Sequence, residues 1–265
     1  MKRAAKDFIR MLLREMDPSL AAMSEDELSA FLARMRALAP GTKHPSPRAA
    51  KPAALPPNGV APPRWQDGII ERIVPEGSTV LDLGCGEGQL LARLIRDKHV
   101  RGQGVELDPG GVFVCVERKV PVFQSDLDAG LKGFADGSFD YVILEETLQT
   151  LHHPDDVLSE MLRVGRTGIV SFPNFAYWRV RLDLALGGRM PVTETLPYHW
   201  YDTPNIHLLT LFDFMDWART RHVAITQGHA LIEGRVRPLD PEKDTLYAEE
   251  VLLVVEADVA QPSRL

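Results

Sequence analysis

The sequence predicts an α/β protein built on a doubly wound, mostly parallel, Rossmann-like sheet. Three observations predict it: from residue 64 onward short apolar runs alternate with helical patterns, glycines at alternate positions follow the first apolar run, and acidic residues sit at the ends of later runs. Strands separated by helices pair in parallel, because the crossover returns the chain to the same end of the sheet. Right-handed crossovers then cover both faces. With 265 residues, 45% hydrophobic and 25% charged, the chain has apolar surface enough for one large domain and a small extension.

Residues 1–39 read as an N-terminal extension of two short amphipathic helices. In the first, Phe8, Ile9, Leu12, Leu13 and Met16 recur at helical spacing. Ser24 and Glu27 open the second as a capping box, ahead of Leu28, Phe31, Leu32 and Met35 on one face. A pair this small buries little alone, so its stripes dock either on the main domain or on a partner. Residues 40–63 hold eight of the 20 prolines and form a linker, since that density excludes helix interiors.

The main domain is expected over 64–258. A helix over 64–73 leads to a strand at Thr79–Leu83, a helix at Gln89–Arg96 and a strand at Gly102–Leu107. A helix at Pro109–Arg118, a strand at Val120–Phe123 and a strand at Phe139–Leu144 come next. Then follow a helix at Pro154–Val164, a strand at Gly168–Phe172, a helix at Leu211–Arg221 capped by Thr210, and two strands at His222–His229 and Ala248–Ala257.

Composition excludes several function classes. A net charge of −7 does not suit a phosphate-backbone binder, so nucleic acid is not an expected partner. No apolar run reaches the ~18 residues of a membrane span, and charges interrupt the first ten residues, so neither a transmembrane helix nor a signal peptide is expected. Cys85 and Cys115 are the only cysteines; they make no disulfide framework, and the cytoplasm is the expected compartment. No His, Cys or Asp pair has a metal-ligand spacing, so no metal is expected.

The chemistry concentrates after the first strand, in Val80-Leu-Asp82-Leu-Gly84-Cys85-Gly86-Glu-Gly88. Glycines there permit a tight turn and let a ligand approach the backbone. The spacing is G-x-G-x-G, not the G-x-G-x-x-G of a dinucleotide site, and Asp82 suits an ammonium better than a pyrophosphate. A nicotinamide-dependent oxidoreductase is disfavoured on both counts. Glu106 closes the second strand, 18 residues after Gly88, where a carboxylate accepts from ribose hydroxyls; Leu107 follows it. Asp126 and Leu127 follow the third strand, where an acidic side chain accepts from the adenine amine. Glu145 ends the fourth strand at the ligand end, whereas Asp140, at the strand start, reads as structural. Cys85 reads as small apolar packing beside the ligand and Cys115 as core.

These segments, in this order, resemble the class I methyltransferase superfamily. The resemblance implies a seven-stranded sheet whose last strand is antiparallel. It also implies S-adenosylmethionine, or S-adenosylhomocysteine, as ligand: Gly84 and Gly86 near the methionine part, Glu106 on the ribose, Asp126 and Leu127 on adenine. A closer resemblance spans 68–237. Phe139-Asp-Tyr-Val-Ile-Leu, Thr147-Leu-Gln, Gly168-Ile-Val-Ser-Phe-Pro-Asn-Phe, Gly187-Gly-Arg-Met-Pro-Val-Thr and Leu196-Pro-Tyr-His-Trp-Tyr-Asp-Thr-Pro-Asn-Ile-His207 are similar to the methionine biosynthesis protein MetW family. That resemblance implies a role in methionine synthesis with MetX, a homoserine O-acyltransferase, as partner. Residues 1–60 lie outside the family core, and Glu145-Glu146 stands where the family has Ser-Gln, which adds negative charge at the ligand end of the sheet.

No catalytic residue is assigned. Methyl transfer from a sulfonium needs an aligned nucleophile and sometimes a base. The segment 173–207, with Trp178, Tyr198, His199, Trp200, Tyr201 and His207, is read as a substrate lid, as a partner surface in which Arg189 is a further anchor, or as packing at the sheet edge. His152 and His153 precede a helix and read as capping or solvated rather than as bases. Three functions follow from the residues together with the resemblance: a ligand-binding regulatory partner, a methyltransferase for a small molecule, or an interaction module.

Overall fold

The computed structural model describes residues 64–257 except Arg189, together with Ser24, Asp26, Glu27, Ser29 and Ala30. The apolar stripes expected within 1–39, the linker 40–63 and the anchor Arg189 lie outside the described residues. The capping box is present: the Ser24 N–H donates to Glu27 Oε2 at 2.8 Å and the Glu27 N–H to Ser24 Oγ at 3.3 Å.

Eight strands form one sheet: β1 (Thr79–Leu83), β2 (Arg101–Glu106), β3 (Val122–Gln124), β4 (Phe139–Glu145), β5 (Gly165–Pro173), β6 (Val223–Ile232), β7 (Arg235–Pro238) and β8 (Glu250–Ala257), in the order β3-β2-β1-β4-β5-β8-β6-β7. The first five in that order run parallel; β8 pairs antiparallel with β5, and β6 with both β8 and β7. The expected sheet had seven strands. The eighth is β7, which returns from β6 through the two-residue turn Glu233-Gly234, both at positive φ (49° and 70°). Such left-handed turns match the twist of a hairpin. All four β7 residues are exposed, so no buried alternation marks the strand in the sequence. Arg235, Arg237 and Pro238 suit it to an edge, because charge and proline deter further pairing.

Helices α1 (Asp67–Ile73), α2 (Gln89–Lys98), α3 (Pro109–Glu117) and α4 (Pro154–Val164) come first in the chain; α5 (Trp178–Leu182), α6 (Leu211–Thr220) and α7 (Pro241–Tyr247) follow. Neither α5 nor α7 is expected from the sequence. α7 begins with Pro241 after Asp240, a start signal legible in retrospect. α6 carries a complete capping box, Thr210 accepting from the Asp213 N–H at 3.2 Å while Asp213 accepts from the Thr210 N–H at 2.9 Å.

Period-two alternation divides the core between the faces. Leu81, Leu83, Val142, Leu144, Val170, Phe172, Val251 and Leu253 point to one face, against Leu158 and Met161 of α4 and Phe214 of α6. Val80, Ile143, Ile169, Leu252 and Val254 point to the other, against Ile69 and Ile70 of α1, Leu91 and Leu94 of α2 and Cys115 of α3. By the same parity Asp82, Glu145 and Glu250 belong to this second face. Asn174, directly after β5, ties the layers: its Nδ2 donates to the Thr245 and Ala248 carbonyls at 3.0 and 2.9 Å, and its Oδ1 accepts from the Ala176 and Leu211 N–H groups at 3.2 Å.

Candidate functional site

The β1–α2 turn needs its glycines. Gly84, Gly86 and Gly88 have φ of +75°, +56° and +69°, a region costly for other residues. A Cβ on Gly84 would lie 2.5 Å from Thr147 Oγ1, and one on Gly88 2.8 Å from Cys115 Sγ. Cys85 and Cys115 are buried with their sulfurs 3.9 Å apart, and Cys85 Sγ sits where a Cβ on Gly104 would be. Burial, then the Asp82 charge, pushes the Cys85 thiol above its usual range. Cys85 therefore packs inside the loop with its thiol held protonated.

Glu106 fastens that loop to the end of β2. Its Oε2 accepts from the Gly86 N–H at 2.8 Å, and its Oε1 from the Leu107 and Asp108 N–H groups, each at 2.8 Å. A carboxylate has about four acceptor positions, so one remains at Oε2. Leu107 beside it is 61% exposed. Asp108 caps α3 by accepting from the Gly111 N–H at 2.9 Å. Asp126 is exposed and caps a short 3₁₀ turn, one oxygen accepting from the Asp128 N–H at 2.9 Å, while the Leu127 side chain goes into the core. Asp128 accepts from the backbone N–H groups of His152 and His153 at 3.0 and 2.8 Å. Both histidine side chains are exposed.

A carboxyl cluster lies across the ends of β1, β4 and β8, beneath the residues that enter α1. Asp82 and Glu145 are buried, and no hydrogen bond from the described residues reaches the Asp82 carboxyl. Arg64 Nη2 donates to Glu145 Oε2 at 2.7 Å, and its Nη1 lies 3.8 Å from Glu146 Oε2. Trp65 Nε1 donates to Glu250 Oε2, and Gln66 Nε2 to Glu146 Oε1 at 2.7 Å and Glu250 Oε2 at 3.1 Å. Asp67, also buried, pairs with Arg93 at 2.6 Å. Burial lifts the Asp82 carboxyl to about 7, against the attraction of Arg64. It lifts Glu145 to about 8, opposed by Arg64 and reinforced by Asp67, Asp82 and Glu146. Glu250 rises to about 7 by burial, with the Glu146 charge adding. Asp140, read as structural, bonds Thr79 at the opposite end of β1.

Sequence reasoning brought Asp82, the glycines, Glu106, Leu107, Asp126, Leu127 and Glu145 to one end of the sheet, and the strand ends do place them there. It missed Arg64, Trp65, Gln66, Thr147, Gln149 and Glu250. Only Thr147 and Gln149 lay inside a family-like string, and the others carry no local signal, because their partners are 80 or more residues away in the chain. The 173–207 segment hangs from the same end: the Ile206 and His207 N–H groups donate to the Gln149 carbonyl at 2.9 and 3.0 Å. Trp200 and Tyr201 are 75% and 58% exposed, and Tyr201 stacks on His199 at 5.3 Å. Among the described residues no group of three or more His, Cys, Asp or Glu side chains is arranged to hold a metal, and no helix is long and apolar enough to cross a membrane.

Comparison with known proteins places this geometry in context. A family profile described as methionine biosynthesis protein MetW matches residues 64–255. The chain is 39% identical over 189 residues to the bifunctional methionine biosynthesis protein MetXA/MetW of Rhodopirellula baltica, covering 68% of this chain and 30% of that protein. It is 28% identical over 186 residues to the 2-methyl-6-phytyl-1,4-hydroquinone methyltransferase of Synechocystis, covering 66% of this chain and 53% of that one. The fold is that of a SAM-dependent methyltransferase from Thermotoga maritima, with a TM-score of 0.54 at 17% identity over 72% of this chain and 87% of the other.

Proposed function

We propose, for a chain that belongs to the methionine biosynthesis protein MetW family, that it binds S-adenosylmethionine and regulates a homoserine O-acyltransferase in methionine biosynthesis. One observation carries the ligand: consecutive strand ends offer acceptors matched to its parts in order. Asp126 at β3 faces the adenine amine, and exposed Leu107 offers the ring an apolar face. Glu106 at β2 has one acceptor position open to a ribose hydroxyl; seating the second requires one of its three backbone bonds to open. Gly86, where a Cβ would meet nothing within 4 Å, leaves backbone room for the methionine part, with Gly84 beside it. Asp82, buried and without a donor, suits the ammonium.

Support for the partner comes from the Rhodopirellula relative, whose name joins MetXA and MetW in one protein. S-adenosylmethionine lies downstream of methionine, so its occupancy reports pathway supply. Regulation requires that bound and free forms differ in affinity for the acyltransferase. The contact runs through 173–207 or 1–39. A second reading, methyl transfer to a small molecule, is favoured by the named methyltransferase relative. Calorimetric titration with S-adenosylmethionine, alone and with the homoserine O-acyltransferase of the same organism, tests both. Binding that shifts with the partner supports regulation. Binding indifferent to the partner, with turnover of the cofactor on some acceptor, supports the enzyme. No binding sinks both.

A further inference from the structure

The proposed ligand carries its positive charges to a definite part of the sheet. With adenine at β3 and ribose at β2, the sulfur next to the ribose falls over β1 and β4, because the strand order is β3-β2-β1-β4. The carboxyls of Asp67, Asp82, Glu145, Glu146 and Glu250 gather at that end, and among the described residues Arg64 and Arg93 are the cations bonded to them. Acceptors are in excess for a second, independent reason. Gln66, fully buried and held in the cluster by Nε2, leaves Oε1 without a donor, and Gln149 Oε1 and Glu145 Oε1 are likewise unpartnered although each side chain is more than nine-tenths buried. Buried acceptors left without donors are costly, so this end favours a cation.

Resting on the S-adenosylmethionine reading above, we infer that this end of the site reads the sulfonium charge: it holds S-adenosylmethionine more tightly than S-adenosylhomocysteine, and Glu145 is the residue that sets the difference. The two ligands differ by one methyl and one positive charge at sulfur. A unit charge in a partly buried site is weakly screened, so its loss is felt, and a sulfonium beside Glu145 favours its carboxylate form just as an ammonium does beside Asp82. Glu145 is the nearest candidate by register. Asp82 pairs with Ile143, and that register continued past the end of β1 brings Gly84 level with Glu145. Thr147, whose hydroxyl donates to the Glu145 carbonyl at 2.9 Å, is the side chain a Cβ on Gly84 would strike. The Glu145 side chain is 4% exposed, against 35% for Glu146 and 48% for Arg64. Arg64 therefore has solvent to move into when a second cation shares Glu145. Such discrimination separates a reporter of methyl-donor supply from a site that fills equally with the spent cofactor.

The experiment titrates the full-length protein with three ligands in a calorimeter: S-adenosylmethionine, S-adenosylhomocysteine, and sinefungin, in which a C–NH3+ group replaces the methylsulfonium. The expected result is at least tenfold tighter binding of S-adenosylmethionine than of S-adenosylhomocysteine, about 1.4 kcal/mol. Sinefungin should follow the charged ligand, and Glu145→Gln should bring the ratio below about threefold. Equal affinities in the wild-type protein overturn the inference while leaving the ligand reading intact, and this comparison needs no variant to fold. A ratio unchanged in Glu145→Gln overturns the assignment to Glu145. Failure of all three ligands to bind overturns the ligand reading and the inference with it.

Discussion

Glu106 is one carboxylate with two duties, since the oxygens proposed to meet the ribose also hold the glycine loop. Glu106→Ala should weaken S-adenosylmethionine by ~1–3 kcal/mol, the cost of losing hydrogen bonds to a charged group. It should also lower the melting temperature, because the N–H groups of Gly86, Leu107 and Asp108 lose their acceptor. Calorimetry and thermal melts read the two effects separately, and unchanged affinity excludes Glu106 as the ribose acceptor. Asp82, Glu145 and Glu250 give a pH signature. Their folded-state values, about 7, 8 and 7, lie above the roughly 4 of an unfolded carboxyl. The folded protein holds protons that the unfolded chain releases, so this stabilisation is complete below about pH 4 and is lost as pH rises through 7 to 8. The ligand-free melting temperature should fall between pH 6.5 and 9, and a flat profile would contradict the burial of these groups. An ammonium beside Asp82 favours its carboxylate, so binding near pH 7 should release protons, seen as a dependence of the binding heat on the buffer's ionisation heat.

The β1–α2 turn acts as a unit, and two separate causes forbid a side chain at Gly84. Its φ of +75° disfavours any L residue, and Thr147 Oγ1 occupies the Cβ position. Gly84→Ala should abolish detectable S-adenosylmethionine binding and cost ~1–3 kcal/mol of stability, measured by urea unfolding. Adding Thr147→Ala should recover only part of the loss, because it relieves the clash and not the backbone. Full recovery would show that the clash alone matters. Legibility differed among elements for a physical reason. β1, β4 and β5 are buried on both faces and read as continuous apolar runs, so they were located within a few residues. β7 is exposed throughout and has no such run.

Across the whole molecule, the ligand end of the sheet and the exposed aromatic segment share the turn that follows β4. Thr147 packs on Gly84, and Gln149 in the same turn carries Ile206 and His207. That continuity is the route we propose for ligand occupancy to reach a surface bearing Trp200 and Tyr201, residue types that anchor interfaces. Replacing both by alanine should weaken binding of the homoserine O-acyltransferase at least tenfold while leaving S-adenosylmethionine affinity within about twofold. Unchanged partner binding would move the contact to the 1–39 extension.

The sequence by itself determined the order of helices and strands apart from β7, α5 and α7, the G-x-G-x-G turn and the acidic residues at successive strand ends. Those signals are local: a side-chain period, a left-handed turn and a polar residue closing an apolar run each reside in a few neighbouring residues. Only the tertiary structure decided that Glu145 is buried against Arg64, 81 residues away, and that Trp65 reaches Glu250 across 185 residues. The pooling of five carboxyls around two guanidiniums depends on the strand order, which sets β1, β4 and β8 on one side and lays the start of α1 over them. Burial then raises the proton affinities of Asp82, Glu145 and Glu250, and burial belongs to the packed sheet rather than to any stretch of the chain.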